Sequence, residues 1–235
     1  MWQAHSNATS IAMLLASKII KAGGFIPAKM YGNLAHIANE LELPLLSDST
    51  RFLQMGLIAQ EIDRRKLTGA IAEFGVFQGN FSSYISRAFN DRKYYLFDTF
   101  EGFDEAQLKH DNLKFSAEGH DFKNTSIKQV ISQISKKCNC EIIIKKGFFP
   151  DSTKGIDDQF VFVSIDVDLY QPTLDGLNYF YPRMVTGGYI LVHDLMANRY
   201  KGCRQAIYEF CDSRNIFFTP LPDAICSALI VKSPD

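Results

Sequence analysis

The 235-residue chain has no excess of either charge. Its 25 lysine and arginine residues nearly balance 26 aspartate and glutamate residues, and the basic side chains form no long run. Non-specific nucleic-acid binding needs clustered lysine and arginine because these side chains neutralise phosphates. The sequence therefore predicts no nucleic-acid partner.

The chain also has few cysteines. The five are an odd number. Cys138 and Cys140 are close in sequence, but no second Cys/His pair completes a zinc site with them. A disulfide framework is not expected in a chain of this length. We expect unpaired thiols in a reducing compartment.

No hydrophobic run is long enough to span a bilayer. The apolar stretch Ile11–Ile20 is not preceded by the basic region with which a signal sequence begins. It is also too short for a transmembrane helix. We interpret it as an amphipathic helix that packs on the domain or on a second subunit, which is compatible with a homodimer. The sequence therefore predicts a soluble, cytoplasmic protein without a membrane partner.

Hydrophobic patterning divides the chain into two regions. The pattern of residues 1–66 predicts a helical extension, with helices over 11–21, 31–41 and 49–66. In residues 67–235, short apolar strands alternate with helices, which indicates an α/β fold with a mostly parallel sheet covered by helices on both faces. The predicted strands are Ala70–Phe74, Tyr94–Phe97, Glu141–Lys145, Phe160–Ile165, Gly188–Val192, Ile216–Phe218 and Ser227–Val231. The predicted helices between them are Asn80–Asn90, Ser126–Lys137, Thr173–Met184 and Lys201–Ser213.

Two connections stand out in this seven-stranded pattern. The last two strands are joined by a short proline-containing segment, which predicts a terminal antiparallel hairpin. Residues 102–124 form a long polar connection, which we interpret as a lid or binding loop. A plain surface insertion is the alternative.

The loop after the first strand has the character of a cofactor site. Gly75 and Gly79 lie between a strand and a helix, where glycine lets the backbone approach a ligand. The spacing differs from the dinucleotide pattern GxGxxG, and Glu73 would repel a pyrophosphate but suit the ammonium of an amino-acid-like cofactor. Asp98 ends the second strand, where a carboxylate accepts hydrogen bonds from ribose hydroxyls. Each signal alone also fits a tight turn or a helix cap, but together they predict a nucleoside cofactor.

Phe148 follows the third strand. An adenine would lie at this position in a doubly wound sheet, and the Phe148 ring could cover its face. A core aromatic residue in a turn is the alternative interpretation.

Acidic residues and a histidine follow the fourth and fifth strands. Ligands of open α/β sheets bind beyond these carboxyl ends, so we expect Asp166 and Asp194 to converge there. They could hold Mg²⁺, which prefers carboxylate and water oxygens and would activate a substrate hydroxyl. Asp168 is interpreted as a cap of the turn or a partner of a backbone amide.

His193 leaves three roles open. Imidazole suits zinc, nickel, iron or copper better than Mg²⁺, so His193 would be an unusual magnesium ligand. It could act as a neutral general base, because the unperturbed pKa of histidine is near 6.5. It could also serve only to orient Asp166, and a purely structural histidine is the remaining alternative.

Several motifs together resemble a known family. The segments AEFGVFQGNFS, YLFDTFEGF, GFFPDST, SIDVDLYQPTLDGLNYFYPRMVTGGYILVHDL and YKGCRQAIYEF are similar to the macrocin O-methyltransferase family, over roughly residues 49–215. That family includes methyltransferases acting on sugars of macrolide and aminocoumarin antibiotics. The resemblance implies a Rossmann-like class I methyltransferase fold, S-adenosylmethionine as cofactor, Mg²⁺ dependence and transfer to a sugar hydroxyl.

The resemblance also implies roles for individual residues. Glu73, Gly75 and Gly79 match the first cofactor motif, and Asp98 matches the ribose-binding acid. Asp166 matches an aspartate that binds metal, is also proposed as the base, and is a further candidate for contact with the cofactor.

The match is incomplete at the fifth strand. Asp194 matches the second member of a metal-binding Asp-Asp pair, but His193 stands where the antibiotic enzymes carry the first. This difference makes a histidine base more attractive than a metal. The alternatives to a sugar O-methyltransferase are an NAD-dependent oxidoreductase, disfavoured by Glu73 and the missing GxGxxG, and a non-catalytic nucleoside-binding protein.

Overall fold

The computed structural model describes residues 49–117, 122–134, 138–197, 199–221, 223 and 225–234. The predicted helices over 11–21 and 31–41 lie outside these residues, as does the Ile11–Ile20 segment considered for a homodimer. The division of the chain at residue 66 stays a prediction.

Strands and helices alternate through the described chain. The helices are α1 (Ser49–Arg64), α2 (Asn80–Ala88), α3 (Glu105–Phe115), α4 (Ile127–Gln133), α5 (Tyr170–Phe180) and α6 (Lys201–Arg214). The strands are β1 (Ala70–Phe74), β2 (Lys93–Asp98), β3 (Glu141–Lys146), β4 (Phe160–Ile165), β5 (Met184–Val192), β6 (Phe218–Leu221) and β7 (Ser227–Val231). Short 3₁₀ helices cover Asp151–Thr153 and Tyr181–Arg183.

The strands form one sheet of seven in the order β3-β2-β1-β4-β5-β7-β6. The pairs from β3 to β5 are parallel, whereas β7 runs antiparallel to both β5 and β6. The predicted seven-stranded, mostly parallel sheet with a terminal antiparallel hairpin is therefore confirmed. The chain reverses its direction of sheet growth between β1 and β4, which is the switch point where α/β folds bind ligands.

Helices cover both faces of the sheet. Successive side chains of a strand point to opposite faces, so Ile71 of β1 joins one buried cluster and Ala72 joins the other. The first cluster includes side chains of α1, α2 and α4, and the second includes side chains of α5 and α6. Because β1, β4 and most of β2 are buried, these strands read as continuous apolar runs in the sequence.

The long polar connection contains a helix that the sequence pattern did not reveal. Helix α3 begins after Asp104, whose side chain accepts a hydrogen bond from the Gln107 backbone nitrogen at 2.9 Å. Its faces are mostly polar, and Leu113 is 81% exposed, so the apolar periodicity that marks a helix is missing.

Element boundaries differ from prediction near two prolines. Helix α5 ends before Pro182 because proline has no amide hydrogen to continue the ladder, and β5 accordingly begins earlier than predicted, at Met184. Pro220 lies within β6, which the prediction placed before it. A proline is tolerated there because β6 is an edge strand of the sheet.

The cysteines partly follow expectation. The sulfur atoms of Cys138 and Cys140 lie in contact, with Cα atoms 5.4 Å apart, and the expectation of unpaired thiols stays a prediction for these two. Cys203, Cys211 and Cys226 are free. Among the helices of the described ranges, none combines the length and apolar character that crossing a membrane requires.

The ends of β1 and β4 meet at a close backbone contact. The Asp166 backbone nitrogen donates to the carbonyl oxygen of Phe74 at 2.8 Å, just before Gly75. Gly75 has a φ of 90°, and a Cβ atom there would overlap the backbone carbonyl of Asp166. Glycine at this position therefore permits the junction of the two strands.

The Gly75→Ala variant is expected to lose about 3 kcal/mol or more of unfolding free energy, because the added methyl group has no space. Gly155→Ala is a matched control, since Gly155 also has a positive φ of 78° but open space around it. It should lose only about 1 kcal/mol, the cost of the left-handed backbone. Denaturant unfolding measures both, and equal losses would contradict the proposed overlap.

Asp111 ties α3 to the body of the domain. Its side chain is almost fully buried, and its Oδ2 accepts a hydrogen bond from the Tyr170 backbone nitrogen at 2.8 Å. Helix α5 has no capping side chain of its own at Leu169. The Asp111 carboxylate thus satisfies an amide at the start of α5 and complements its dipole.

We expect Asp111→Ala to reduce the unfolding free energy by about 2 kcal/mol, because the partly buried Tyr170 amide loses its acceptor. Asp104→Ala serves as the comparison, since it removes only the local cap of α3 and should cost about 1 kcal/mol. Urea unfolding of both variants provides the measurement. A smaller loss for Asp111→Ala than for Asp104→Ala would show that the tie to α5 contributes little.

Candidate functional site

A cavity of about 750 Å³ opens at the carboxyl ends of the central strands. This volume suits a cofactor or a small substrate. Of the predicted site residues, the following line it: Glu73, Gly75, Asp98, Phe148, Asp166, His193 and Asp194. The structure therefore brings the residues predicted for the cofactor and those predicted for the chemistry into one cavity, whereas Gly79 is not part of the lining.

Glu73 is buried at the end of β1, with 1% of its surface exposed. Its Oε2 accepts hydrogen bonds from the Ser82 hydroxyl at 2.6 Å and from the Tyr94 hydroxyl at 2.5 Å. Burial raises the pKa of Glu73 to about 8, against the lowering effect of these two donors. A cationic group nearby would favour the ionised carboxylate.

Asp98 holds the loop that follows β1. Its Oδ2 accepts from the backbone nitrogens of Val76 at 2.7 Å and Phe77 at 2.9 Å, and its Oδ1 accepts from Phe100 at 2.7 Å. A carboxylate has about four acceptor positions, so room for one further donor remains. The structure thus gives Asp98 a loop-fixing function that the sequence did not indicate.

The two glycines of the loop are required by protein packing. Gly75 makes room for the Asp166 backbone, and a Cβ on Gly79 would lie 3.0 Å from the Cα of Val130 in α4. The sequence argument assigned both glycines to ligand approach. Only Gly75 borders the cavity, and both have positive φ angles, 90° and 83°.

Phe148 and Phe149 have different surroundings although they are adjacent. Phe148 is 49% exposed and lines the cavity, as the adenine interpretation requires. Phe149 is buried and stacks on Phe74 with ring centroids 4.3 Å apart. The core-aromatic alternative therefore applies to Phe149 and not to Phe148.

Asp166 lies between two positively charged groups. Its Oδ2 is 2.9 Å from Nη1 of Arg51, and its Oδ1 is 3.3 Å from Nδ1 of His193. Burial alone would raise the pKa of Asp166, but the charges of His193 and Arg51 outweigh burial and hold this pKa well below its usual range. Asp166 is therefore a poor proton acceptor in this arrangement.

His193 is buried at the end of β5, with Nδ1 also 3.2 Å from Oδ1 of Asp194. Its Nε2 has no hydrogen-bond partner among the described residues. Burial alone would lower the pKa of His193, but the Asp166 carboxylate outweighs burial and the pKa is raised to about 10. The ring is thus held on one side by two carboxylates, and its other nitrogen is buried and makes no hydrogen bond with the described residues.

Asp168 differs from its predicted role. The sequence suggested a turn cap, but the side chain lines the cavity and lies against Asp194. Burial and the neighbouring carboxylates of Asp194 and Asp166 raise the pKa of Asp168 well above its usual range. The neutral acid is therefore the stable form, because two adjacent carboxylates resist simultaneous ionisation.

Sequence reasoning missed Arg51, although a signal for it exists. Arg51, Met55, Ile58 and Ile62 follow helical spacing on one face of α1, and all four are buried. An arginine within an otherwise apolar stripe needs a partner when buried, so its position on α1 pointed to a buried acid. The structure identifies that acid as Asp166.

An aromatic wall, consisting of Phe77, Phe103, Phe122 and Tyr200, also escaped the sequence analysis. These side chains line the cavity, and neighbouring rings are 5.2, 5.1 and 6.2 Å apart between centroids. Phe103 and Phe122 belong to the connection 102–124, which therefore contributes to the cavity wall. This placement fits the predicted binding loop better than a plain surface insertion.

Three side chains of the cavity could converge on a cation. Asp166, His193 and Asp194 each offer one ligand atom, and these atoms lie within 4.8 Å of one another. The remaining groups could bind a nucleoside cofactor, since Glu73, Asp98 and Phe148 lie around the other part of the lining.

Two curated proteins are similar to this chain in sequence. The mycinamicin III 3''-O-methyltransferase of Micromonospora griseorubida is 26% identical over 168 residues, or 65% of this chain and 64% of the relative. The 8-demethyl-8-(2,3-dimethoxy-alpha-L-rhamnosyl)-tetracenomycin-C 4'-O-methyltransferase of Streptomyces olivaceus is 24% identical over 153 residues, or 60% and 58%. The chain thus spans less than two thirds of the length of either relative.

Structural similarity extends over nearly the whole chain. The O-methyltransferase TomG from Streptomyces achromogenes, involved in tomaymycin synthesis and solved with SAM, shares the fold with a TM-score of 0.53. It is 15% identical, and the superposition covers 96% of each chain. The family model for macrocin O-methyltransferase (TylF) matches residues 46–224, and this protein therefore belongs to that family.

Proposed function

We propose that this protein is an S-adenosylmethionine-dependent O-methyltransferase that acts on a hydroxyl of a sugar or of a small molecule containing a sugar. The observation that carries the proposal is the single cavity shared by Glu73, Asp98 and the cluster around His193. Membership in the macrocin O-methyltransferase family supports the reaction type. The rhamnosyl group named for one relative supports the acceptor class.

The cofactor would occupy the part of the cavity formed by β1 and β2. Glu73 would pair with the ammonium of the amino-acid portion, Asp98 would accept from a ribose hydroxyl, and Phe148 would cover the adenine. Gly75 borders this part of the cavity and leaves room for the Asp166 backbone at the strand junction. When bound, S-adenosylmethionine supplies an electrophilic methyl group on a positively charged sulfur.

His193 is the general base in this proposal. With the cofactor bound, the acceptor oxygen would take the methyl group from the sulfur, and the hydroxyl proton would pass to Nε2 of neutral His193. Asp166 and Asp194 accept from Nδ1 and fix the orientation of the ring. We prefer His193 to Asp166 as the base because both oxygens of Asp166 already contact protein groups, the Arg51 guanidinium and the His193 ring. Much of the barrier reduction comes from positioning, because the reaction joins two bound molecules.

Mg²⁺ fits this site less well than a hydrogen-bonded arrangement. The three candidate ligand atoms are close enough together, but one of them is an imidazole nitrogen, which Mg²⁺ disfavours. The Arg51 guanidinium also already contacts Asp166. We therefore assign no step of the reaction to a metal.

The Glu73→Gln variant is expected to bind S-adenosylmethionine about tenfold more weakly, or by about 1.4 kcal/mol, because the ion pair with the ammonium is lost. Glu101→Gln is the control, since Glu101 is exposed and pairs with Lys146. Isothermal titration calorimetry gives both affinities. Unchanged binding in Glu73→Gln would remove this residue from the cofactor site.

Methyl transfer at increasing pH tests the base. Because His193 must be neutral to accept a proton and its pKa is raised to about 10, kcat/KM should rise about tenfold per pH unit from pH 7 and level off near that pKa. His193→Ala should lose this dependence and most of the activity. A wild-type profile that is flat above pH 7 would contradict the raised pKa of His193, and full activity in His193→Ala would contradict a histidine base.

The acceptor is identified with methyl-labelled S-adenosylmethionine and a panel of free sugars, nucleotide-linked sugars and glycosides. Label transferred to a hydroxyl, with release of S-adenosylhomocysteine, is the expected result. Tight NADH binding without binding of S-adenosylmethionine would favour the oxidoreductase alternative. Cofactor binding without transfer to any member of the panel would favour a non-catalytic nucleoside-binding protein.

A further inference from the structure

Arg51 is the charged residue of α1 that reaches the cavity. Its side chain is buried and its guanidinium carbon lies 4.0 Å above the centre of the Phe81 ring in α2. This cation–π contact and the apolar packing of α1 hold the guanidinium in place at the edge of the cavity. Arg51 is therefore a fixed positive charge within the site.

The two oxygens of Asp166 are both occupied by protein groups. Arg51 contacts Oδ2 at 2.9 Å, and His193 contacts Oδ1 at 3.3 Å. A divalent cation bound to Asp166 would have to share this carboxylate with a buried guanidinium at close range. Like charges in a buried setting repel strongly, so the guanidinium and the metal compete for the same carboxylate.

We propose that Arg51 supplies, at Asp166, the positive charge that the family resemblance assigns to a divalent metal, and that it keeps Mg²⁺ from binding there. Arg51 is then a positioning residue: it fixes Asp166, which in turn orients His193. This inference rests on the proposed methyl transfer for its catalytic consequence only. The competition between guanidinium and metal concerns the protein alone.

Metal binding is measured directly with Mn²⁺ as a paramagnetic substitute for Mg²⁺, by the loss of its free signal in electron paramagnetic resonance. The wild-type protein should bind no Mn²⁺ at the cluster at millimolar concentration. The double variant Arg51→Met, His193→Asp should bind it, because the competing cation is gone and an oxygen ligand replaces the imidazole. Arg64→Met with His193→Asp is the control, since Arg64 lies on the same helix but is exposed and pairs with Glu61, and it should not bind Mn²⁺.

Two results would overturn the proposal. One is Mn²⁺ binding by the wild-type protein that is lost in Asp194→Asn, because Arg51 would then not exclude the metal. The other is a folded double variant that binds no Mn²⁺. Circular dichroism establishes whether each variant is folded. If Arg51→Met is unfolded, Arg51→Gln takes its place. The wild-type measurement needs no variant at Arg51 and by itself tests whether the protein excludes Mn²⁺.

Kinetics separate positioning from simple stability. With an accepted substrate, Arg51→Met should lower kcat about 100-fold with little change in KM for S-adenosylmethionine, because the base is misplaced. Arg51→Lys should recover part of kcat, Arg64→Met should match the wild type, and excess chelator should leave wild-type activity unchanged. Loss of activity in chelator that Mg²⁺ restores would overturn the proposal. If no acceptor is methylated, the proposed function fails, but the Mn²⁺ measurement still tests whether Arg51 excludes a divalent metal from Asp166.

Discussion

Two backbone hydrogen bonds at the ends of the central strands set the relative position of the groups that end β1, β4 and β5. The Asp166 nitrogen donates to Phe74 at 2.8 Å, and the His193 nitrogen donates to Ile165 at 2.9 Å. Together they bring the ends of β1, β4 and β5 to one level. Glu73, Asp166 and His193 then border one cavity although they are far apart in the sequence. The missing side chain at Gly75 is the condition for the first of these contacts.

The carboxyl groups around the cavity differ because their neighbours differ. Asp166 has two cationic partners and stays ionised, whereas Asp168 faces other carboxylates and favours the neutral acid. Glu73 is buried and accepts from two hydroxyl groups, and its pKa is raised, so a nearby cation would favour its ionised form. Three carboxyl groups at the ends of two strands thus acquire three electrostatic characters from their surroundings.

The sequence was sufficient for the features that depend on local pattern. Buried strands such as Phe160–Ile165 are continuous apolar runs bounded by polar residues, and their predicted limits agree with the structure. The mostly parallel α/β sheet and the terminal hairpin followed from the order of such runs, whereas the class I methyltransferase fold was implied by the family resemblance. Acids at strand ends could be identified because the carboxyl edge of a parallel sheet gathers them.

What the sequence could not show depends on contacts between distant segments. Helix α3 has little apolar periodicity, and its buried Asp111 has meaning only beside the start of α5. The contact of Asp168 with Asp194 depends on the fold of the turn after β4, where Asp168 has a φ of 62°. The sequence pattern suggested that Gly79 faces a ligand. Its packing against Val130 of α4 could not be seen, because the two residues are about 50 positions apart in the chain.

Arg51 lies on α1, whereas the acid it holds ends a strand of the sheet. A boundary at residue 66, natural from secondary structure, would separate the two partners of this ion pair. The site therefore needs residues from both helix α1 and the α/β sheet. A relative that retained the sheet but acquired a different leading helix would keep the aspartate and the histidine while losing the charge that organises them. A change in this helix alone would then alter the charge balance at the Asp166 carboxylate.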